Sequence, residues 1–176
     1  MTITRLLKNA EPSISATPSV ERTISIPRSG TGDPYRDGCA LHAELAGGPQ
    51  RYRSVVGIIH REVRRLGGKT LRSEHSMRPW GGIPAGRADI IAFGTGETGV
   101  VEVKVVARLP ENPRGRDAAQ LGAYTRLKAH WSAQLAQTWA ALIYVDLNSG
   151  QLRVFVFRDR ELKTLVREAE DALAAA

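Results

Sequence analysis

Residues 86–106 read GRADIIAFGTGETGVVEVKVV, in which two compact apolar runs flank a hexapeptide with three glycines. The runs 88–93 and 100–106 have the length and the β-branched composition of buried strands. The hexapeptide 94–99 favours a turn between them. We therefore predict a β-hairpin across this stretch.

The same hexapeptide matches the pattern GxGxxG of dinucleotide-binding loops. Such a loop has to follow a strand and open a helix, whose N-terminus binds the pyrophosphate. A valine-rich run follows Gly99 instead of a helical pattern. The hexapeptide therefore indicates a hairpin turn rather than a nucleotide site.

Outward from the hairpin, hydrophobic periodicity predicts further helices and strands on both sides. They are helix 55–66, strand 69–77, helix 117–128, strands 139–145 and 152–157, and helix 161–174. The resulting order is helix, three strands, helix, two strands, helix. Because hairpins flank the central helix, this order predicts an α/β fold with a mixed β-sheet flanked by helices, and not a doubly wound fold.

Residues 1–37 differ from the rest of the chain, since they are rich in Ser, Thr, Pro and Gly. Their four prolines argue against a helix or a central strand. We expect a flexible N-terminal arm over 1–37 and one domain over 38–176. No run approaches about 20 apolar residues, so no membrane span is expected. The single cysteine, Cys39, excludes an internal disulfide and a cysteine-based zinc cluster.

The net charge is +7 over 176 residues, and it is concentrated in the middle of the chain. Residues 51–128 hold fifteen Lys and Arg against seven Asp and Glu. Such a positive field favours a polyanionic partner, because each neutralised phosphate releases counterions. The alternative is a compositional preference for Arg without a binding role.

Two ionisable residues, Glu102 and Lys104, interrupt the valine run of the second hairpin strand. Residues two apart on a strand share a face, so their side chains project together. Asp89, near the start of the first strand, is expected roughly opposite them. Two carboxylates and a lysine at one place predict a divalent-metal hydrolysis site. The alternative is a structural ion pair.

Gln120 and Tyr124 are four residues apart in the predicted helix 117–128 and share one helical face. Gln120 can hydrogen-bond a lysine, a water or a phosphate, and Tyr124 can stack or donate a hydrogen bond. Two alternatives remain open: Asp117 and Gln120 form a capping box, and Tyr124 belongs to the core.

Taken together, these residues resemble the PD-(D/E)XK nuclease superfamily over about residues 51–146. Gly86–Asp89 resembles its GxxD motif, Glu102–Lys104 its ExK motif, and Gln120–Tyr124 the QxxxY motif of its RecB-type branch. The resemblance implies a restriction-endonuclease-like sheet. It further implies that Asp89 and Glu102 are metal ligands, that Lys104 is the catalytic lysine, and that Gln120 and Tyr124 support them.

The same family often has a further acid or histidine on its first helix. In helix 55–66, Glu62 is aimed closer to the apolar stripe than His60 is, so we favour Glu62 as a third metal ligand and keep His60 as the alternative. RecB-type nucleases have a histidine at a set spacing after a glycine, and the spacing from Gly57 to His60 is one residue shorter than that. Glu74 and His75 are weaker candidates, since a polar edge strand explains them.

Arginines on the strands and loops around the proposed site are candidates for gripping a phosphate backbone without reading bases. They are Arg72, Arg78, Arg87, Arg108, Arg114 and Arg116. Trp80, in the Gly/Pro-rich loop 78–84, is expected either to stack on a base or to anchor the loop to the core.

The sequence and the resemblance together predict a Mg²⁺-dependent nuclease that hydrolyses phosphodiester bonds of DNA, with Mn²⁺ as the alternative ion. An antibacterial toxin with an immunity or other regulatory protein as partner fits, and so does a repair, resolvase, phage or restriction nuclease. A catalytically inactive nucleic-acid-binding module is the second alternative. The expected location is the cytoplasm, or the target-cell cytoplasm for an effector, with no membrane partner.

Overall fold

A computed structural model describes residues 2–7, 12–130 and 132–176 of the chain. Its centre is a six-stranded sheet with the strand order β1-β6-β5-β4-β3-β2. The strands are β1 (Val20–Ser25), β2 (Thr70–Met77), β3 (Gly86–Phe93), β4 (Thr98–Val105), β5 (Thr138–Asp146) and β6 (Gln151–Phe157). The sheet is mixed, because β4 and β5 are parallel while the other neighbouring strands are antiparallel.

Helices cover both faces of this sheet. They are α1 (Ile3–Leu6), α2 (Pro34–Leu45), α3 (Arg53–Arg65), α4 (Gly115–Lys128), α5 (Ser132–Leu135) and α6 (Asp159–Ala174). Leu41 of α2 and Ile59 of α3 belong to the buried cluster on one face. Leu121 of α4 and Leu165 of α6 belong to the cluster on the other face. Within the described ranges, no helix is long and apolar enough to cross a membrane.

The element order predicted from residue 55 onward is confirmed except for the short helix α5, which was not predicted, and the mixed sheet with flanking helices is confirmed. Each of these observed elements begins and ends within two residues of its predicted bounds. The hexapeptide 94–99 forms the hairpin connection, with the turn at 94–97, where the amide of Gly94 donates to the carbonyl of Glu97 at 2.8 Å, and with Thr98 and Gly99 already in β4. The strands then pair in antiparallel register, with Ile90 opposite Val101.

The stretch 1–37, predicted to be a flexible arm, instead contributes elements to the fold. Strand β1 pairs with β6 along its whole length and forms one edge of the sheet. Ile3 of α1 is fully buried in the core on the α4 side. The expected boundary at residue 37 falls inside α2. Residues 1 and 8–11 of the predicted arm lie outside the described residues.

The prolines explain why the expectation for 1–37 was wrong. Pro18 and Pro27 flank β1 rather than interrupt it, and an edge strand tolerates such neighbours. Pro34 occupies the first turn of α2, where a missing N–H costs nothing. Asp33 caps that helix by accepting hydrogen bonds from the two amides that follow Pro34. These prolines therefore lie beside or at the start of secondary-structure elements and do not prevent them.

Candidate active site

The site begins where β3 and β4 separate. Their last paired residues are Ile90 and Val101, so Asp89 lies just beyond the regular ladder. The Asp89 carboxylate accepts a hydrogen bond from the backbone amide of Val103 at 2.7 Å. This bond places the carboxylate against β4, as the hairpin register predicted.

Strand β4 alternates as expected between valines and ionisable residues. Val101 and Val103 belong to the buried cluster on the α2–α3 side of the sheet. Glu102 and Lys104 point to the opposite face, where Lys104 Nζ donates to Glu102 Oε1 at 2.7 Å and to Gln120 Oε1 of α4 at 2.9 Å. Glu102 is 2% exposed, whereas the side chain of Lys104 is 24% exposed, so the lysine reaches solvent from a buried carboxylate.

Helix α4 supplies the next contacts of the site. Gln120 Nε2 donates to the Tyr124 hydroxyl at 2.8 Å and to Thr4 Oγ1 of α1 at 3.3 Å. The capping-box alternative for Gln120 is not observed, because its side-chain oxygen is bound to Lys104. Asp117 instead accepts a hydrogen bond from the Tyr144 hydroxyl at 2.8 Å. Gln120 and Tyr124 therefore form a buried chain of hydrogen bonds that orients the lysine.

Two further residues join Asp89 on its other side. His42 Nδ1 of α2 lies 3.0 Å from Asp89 Oδ1 and 3.9 Å from Glu74 Oε1 of β2. The ligand atoms of these three residues all lie within 4.8 Å of one another, which is compatible with a shared cation. Glu74 has φ 52°, an uncommon value for a non-glycine residue, in the middle of a strand. Arg87 Nε also holds Glu74, at 2.7 Å.

His42 was not among the residues predicted from the sequence, because it lies next to the presumed arm where no helix was expected. A signal was nevertheless present. Gly38 precedes His42 by four residues, which is the glycine-to-histidine spacing that Gly57 and His60 miss by one. Glu74 was considered only as a weaker candidate, since no local pattern shows that β2 places it beside Asp89.

Glu62, the expected third metal ligand, lies outside this cluster. It forms ion pairs with Arg22 of β1 at 2.5 Å and with Arg65 at 3.3 Å. The buried stripe of α3 packs on the α2–α3 face of the sheet, away from the face that carries Glu102. Among the described residues that line the site, neither Glu62 nor the alternative His60 occurs.

The polar groups around Asp89, Glu102 and Lys104 line one cavity of about 810 Å³. Its floor is formed by Asp89, Glu102 and Lys104, and α1 and α2 contribute to its walls. The cavity is also lined by His42, Glu74, Arg87, Gln120 and Tyr124. The structure thus brings together the five predicted catalytic residues and adds His42 and Glu74.

The predicted DNA-binding arginines are all exposed, but only Arg87 lines the described part of this cavity. Arg72 lies over the ring of Phe93, and Arg114 precedes the first turn of α4. Trp80 stacks on His130 with ring centroids 4.9 Å apart. The guanidinium of Arg126 lies 4.6 Å from the centroid of the same Trp80 ring. This sandwich supports the expectation that Trp80 anchors its loop.

Burial and like charge shape the protonation of the floor. Burial, together with the Asp89 carboxylate, raises the pKa of Glu102 to about 8 against the opposing effect of Lys104. Burial lowers the pKa of Lys104, but the charge and hydrogen bond of Glu102 outweigh it and leave that pKa above its ordinary value. Burial lowers the pKa of His42, but the hydrogen bond and charge of Asp89 outweigh this effect and leave the pKa raised. Lys104 therefore stays protonated at neutral pH, beside a carboxyl that resists ionisation.

One polar atom of the floor has no partner: Glu102 Oε2 is buried and accepts no hydrogen bond from the described residues. A buried carboxylate oxygen without a donor is costly, and binding a cation is one way to satisfy it. In the same cavity Asp89, Glu74 and His42 offer two carboxylates and an imidazole with ligand atoms within 4.8 Å of one another, a group that does not include Glu102. Oxygen ligands suit Mg²⁺ and Mn²⁺, whereas an imidazole nitrogen is unusual for Mg²⁺. The donor set therefore fits a divalent cation.

Comparisons with known proteins assign the chain to no family. No protein-family model matches it, and no curated protein matches it. A solved structure named "Crystal structure of SSO0001" is similar, with a TM-score of 0.47 and 20% sequence identity. The match covers 81% of this chain and 61% of that chain.

Proposed function

We propose that this protein is a Mn²⁺- or Mg²⁺-dependent nuclease that cleaves phosphodiester bonds of DNA, with a site of the PD-(D/E)XK type in a restriction-endonuclease-like sheet. The observation that carries the proposal is the convergence of Asp89, Glu102 and Lys104 in one cavity, beside an unsatisfied carboxylate oxygen. A structural ion pair alone would account for Glu102 and Lys104. It would not account for the added His42 and Glu74.

The residues divide into ligands and positioning groups. Asp89, Glu102, Glu74 and His42 would hold the cation. When bound there, a divalent cation supplies charge neutralisation at the phosphate and a lowered pKa for a nearby water. Asp89 Oδ2 is restrained by the amide of Val103, so Oδ1, which lies 3.0 Å from His42 Nδ1, is held in place before any ligand arrives. Such preorganisation is what a metal site needs from its carboxylates.

Lys104 acts as a hydrogen-bond donor and a fixed positive charge rather than as a general base. Its raised pKa keeps it protonated at neutral pH. The Gln120 amide and the Glu102 carboxylate use two of its three donor hydrogens, which leaves one for a phosphate oxygen or a water in the cavity. A cation in this position stabilises the charge that develops on phosphorus-bound oxygens during attack.

The electrostatics of the surface favour a polyanionic substrate. The net charge is +7, and the predicted arginines are exposed on the surface, whereas the cavity itself carries the carboxylates. Arg87 is the lining arginine, with its side chain 66% exposed. Contacts of this kind bind phosphates without reading bases, so we propose DNA binding with little sequence specificity.

The test is cleavage of supercoiled plasmid by the purified protein in Mn²⁺, Mg²⁺ and EDTA. We expect nicked and linear products in Mn²⁺, slower cleavage in Mg²⁺ and none in EDTA. Asp89→Asn and Lys104→Ala should each reduce the rate by about 100-fold or more. Glu62→Gln is the matched control, since it alters a buried carboxylate outside the cavity. Undiminished cleavage by Lys104→Ala, or by the wild type in EDTA, would overturn the proposal.

A further inference from the structure

An aromatic side chain stands at the rim of the cavity and is exposed to solvent. Tyr35, in the first turn of α2, is 82% exposed. Apart from Val20, at 43%, no other large hydrophobic side chain among the described residues is classed as exposed. Val20 lies on edge strand β1, whereas Tyr35 lines the same cavity as His42 and Lys104. Its exposure is therefore placed beside the proposed chemistry.

The backbone that presents Tyr35 is firmly held. Asp33 accepts hydrogen bonds from the amides of Tyr35 at 3.0 Å and Arg36 at 3.1 Å. Asp37, one turn into the helix, accepts from the amide of Thr31 at 2.8 Å and is almost fully buried. The backbone that carries the ring is therefore already ordered before a ligand covers it.

The depth of the cavity restricts the form of the substrate. Asp89 and Glu102 are 6% and 2% exposed, so a scissile phosphate has to descend past the rim to reach them. The rim includes Thr4 of α1 and Tyr35 of α2. A single strand can bend into such a cavity because its bases are free to unstack, whereas the paired bases of a duplex hold its backbone outside. An unstacked base at the rim would then meet the Tyr35 ring.

We propose that Tyr35 is a stacking platform for an unpaired base, and that the substrate of this site is a single-stranded stretch of DNA. This inference rests on the proposed nuclease function and names its substrate class. Aromatic rings stack on any base, because every base has a π-face. The exposed side chain of Arg87, which lines the same cavity, supplies positive charge for the backbone of single-stranded DNA.

The test measures binding to a single-stranded oligonucleotide with one 2-aminopurine and to the same oligonucleotide in a duplex, in EDTA so that no cleavage occurs. We expect the wild type to bind the single strand about tenfold more tightly and to quench the probe. Tyr35→Ala should weaken single-strand binding by about tenfold and leave duplex binding unchanged, while Tyr35→Phe retains the wild-type behaviour. Val20→Ala, at the other exposed apolar position, is the control and should change neither.

Equal losses on single strand and duplex, or no loss in Tyr35→Ala, would overturn the stacking role. If the protein cleaves DNA in Mn²⁺ but Tyr35→Ala prefers the single strand as the wild type does, the inference fails and the nuclease function stands. If the wild type neither binds nor cleaves DNA, both fail. A Tyr35→Ala protein that binds DNA normally but loses a protein ligand would assign the ring to a protein interface.

Discussion

Substituting Glu102 by Gln should stabilise the metal-free protein while it abolishes cleavage. Glu102 is buried beside Asp89, and one of its oxygens has no hydrogen-bond donor. Glutamine has nearly the same shape and keeps an amide oxygen for Lys104. It carries no negative charge, so the repulsion by Asp89 is removed. The expected gain in stability is the free energy that folding at pH 7 now spends on burying an acid whose ionised form is unfavourable in this site.

The size of this gain follows from the raised pKa of Glu102. The pKa rises from 4.5 to about 8 in the folded protein, and each pH unit of this rise corresponds to about 1.4 kcal/mol. At pH 7 the folded chain holds a proton on Glu102 that the unfolded chain releases, which by itself costs about 3 kcal/mol of stability. This figure is an upper bound for the gain, because Glu102→Gln also removes the charge that stabilises protonated Lys104. Since the folded pKa of this acid is raised, the cost is absent below about pH 4.5 and grows until about pH 8.

Thermal unfolding in EDTA, followed by circular dichroism, measures this effect. For a chain of this length, about 3 kcal/mol corresponds to roughly 6–12 °C in Tm, so Glu102→Gln should unfold at a higher temperature than the wild type at pH 7, with this range as the upper bound. The two proteins should converge below about pH 4.5. Saturating Mn²⁺ should raise the Tm of the wild type and leave that of the variant nearly unchanged. A Tm of Glu102→Gln equal to or below that of the wild type at pH 7–8, or a difference independent of pH, would refute the reasoning.

Three further perturbations test other parts of the structure. His42→Ala removes the nitrogen donor, so titration calorimetry should show Mn²⁺ binding about tenfold weaker or worse, with a smaller effect on Mg²⁺; equal effects on both ions would contradict the assignment. Arg22→Met leaves the buried Glu62 with only the exposed Arg65 as partner, so urea unfolding should show a loss of about 2–4 kcal/mol with cleavage per folded molecule unchanged. Gly86→Ala places a Cβ 2.5 Å from the Tyr124 ring. We expect a loss of stability of about 1–3 kcal/mol, and cleavage that falls by more than the loss of folded protein explains. Wild-type activity would show that cleavage does not depend on the position of Tyr124.

Local patterns in the sequence carried most of the fold. The valine run of β4 and the glycine-rich turn before it predicted the hairpin, because strand alternation and turn chemistry act over a few residues. The same alternation predicted that Glu102 and Lys104 share a face, which their 2.7 Å contact confirms. The four-residue spacing of Gln120 and Tyr124 likewise predicted the shared helical face that their hydrogen bond uses.

The errors arose where a long-range partner decides the outcome. Residues 20–25 show no strong strand pattern, yet they pair with β6 because an open edge was available there. Glu62 has the helical position of an inward-facing acid, but Arg22 from that added strand captures it. Neither event is visible in a window of ten or twenty residues, since the partners are separated by tens to more than a hundred positions.

The amino-acid sequence alone predicts a mixed sheet, a strand with an acid and a lysine on one face, and a helix with polar side chains that can contact them. Periodicity encodes these features, because it records which side of an element avoids water. Which acids and imidazole complete the cluster was settled by folding, when β2 and α2 brought Glu74 and His42 beside Asp89. Convergence of that kind depends on the packing of whole elements, and no local spacing records it.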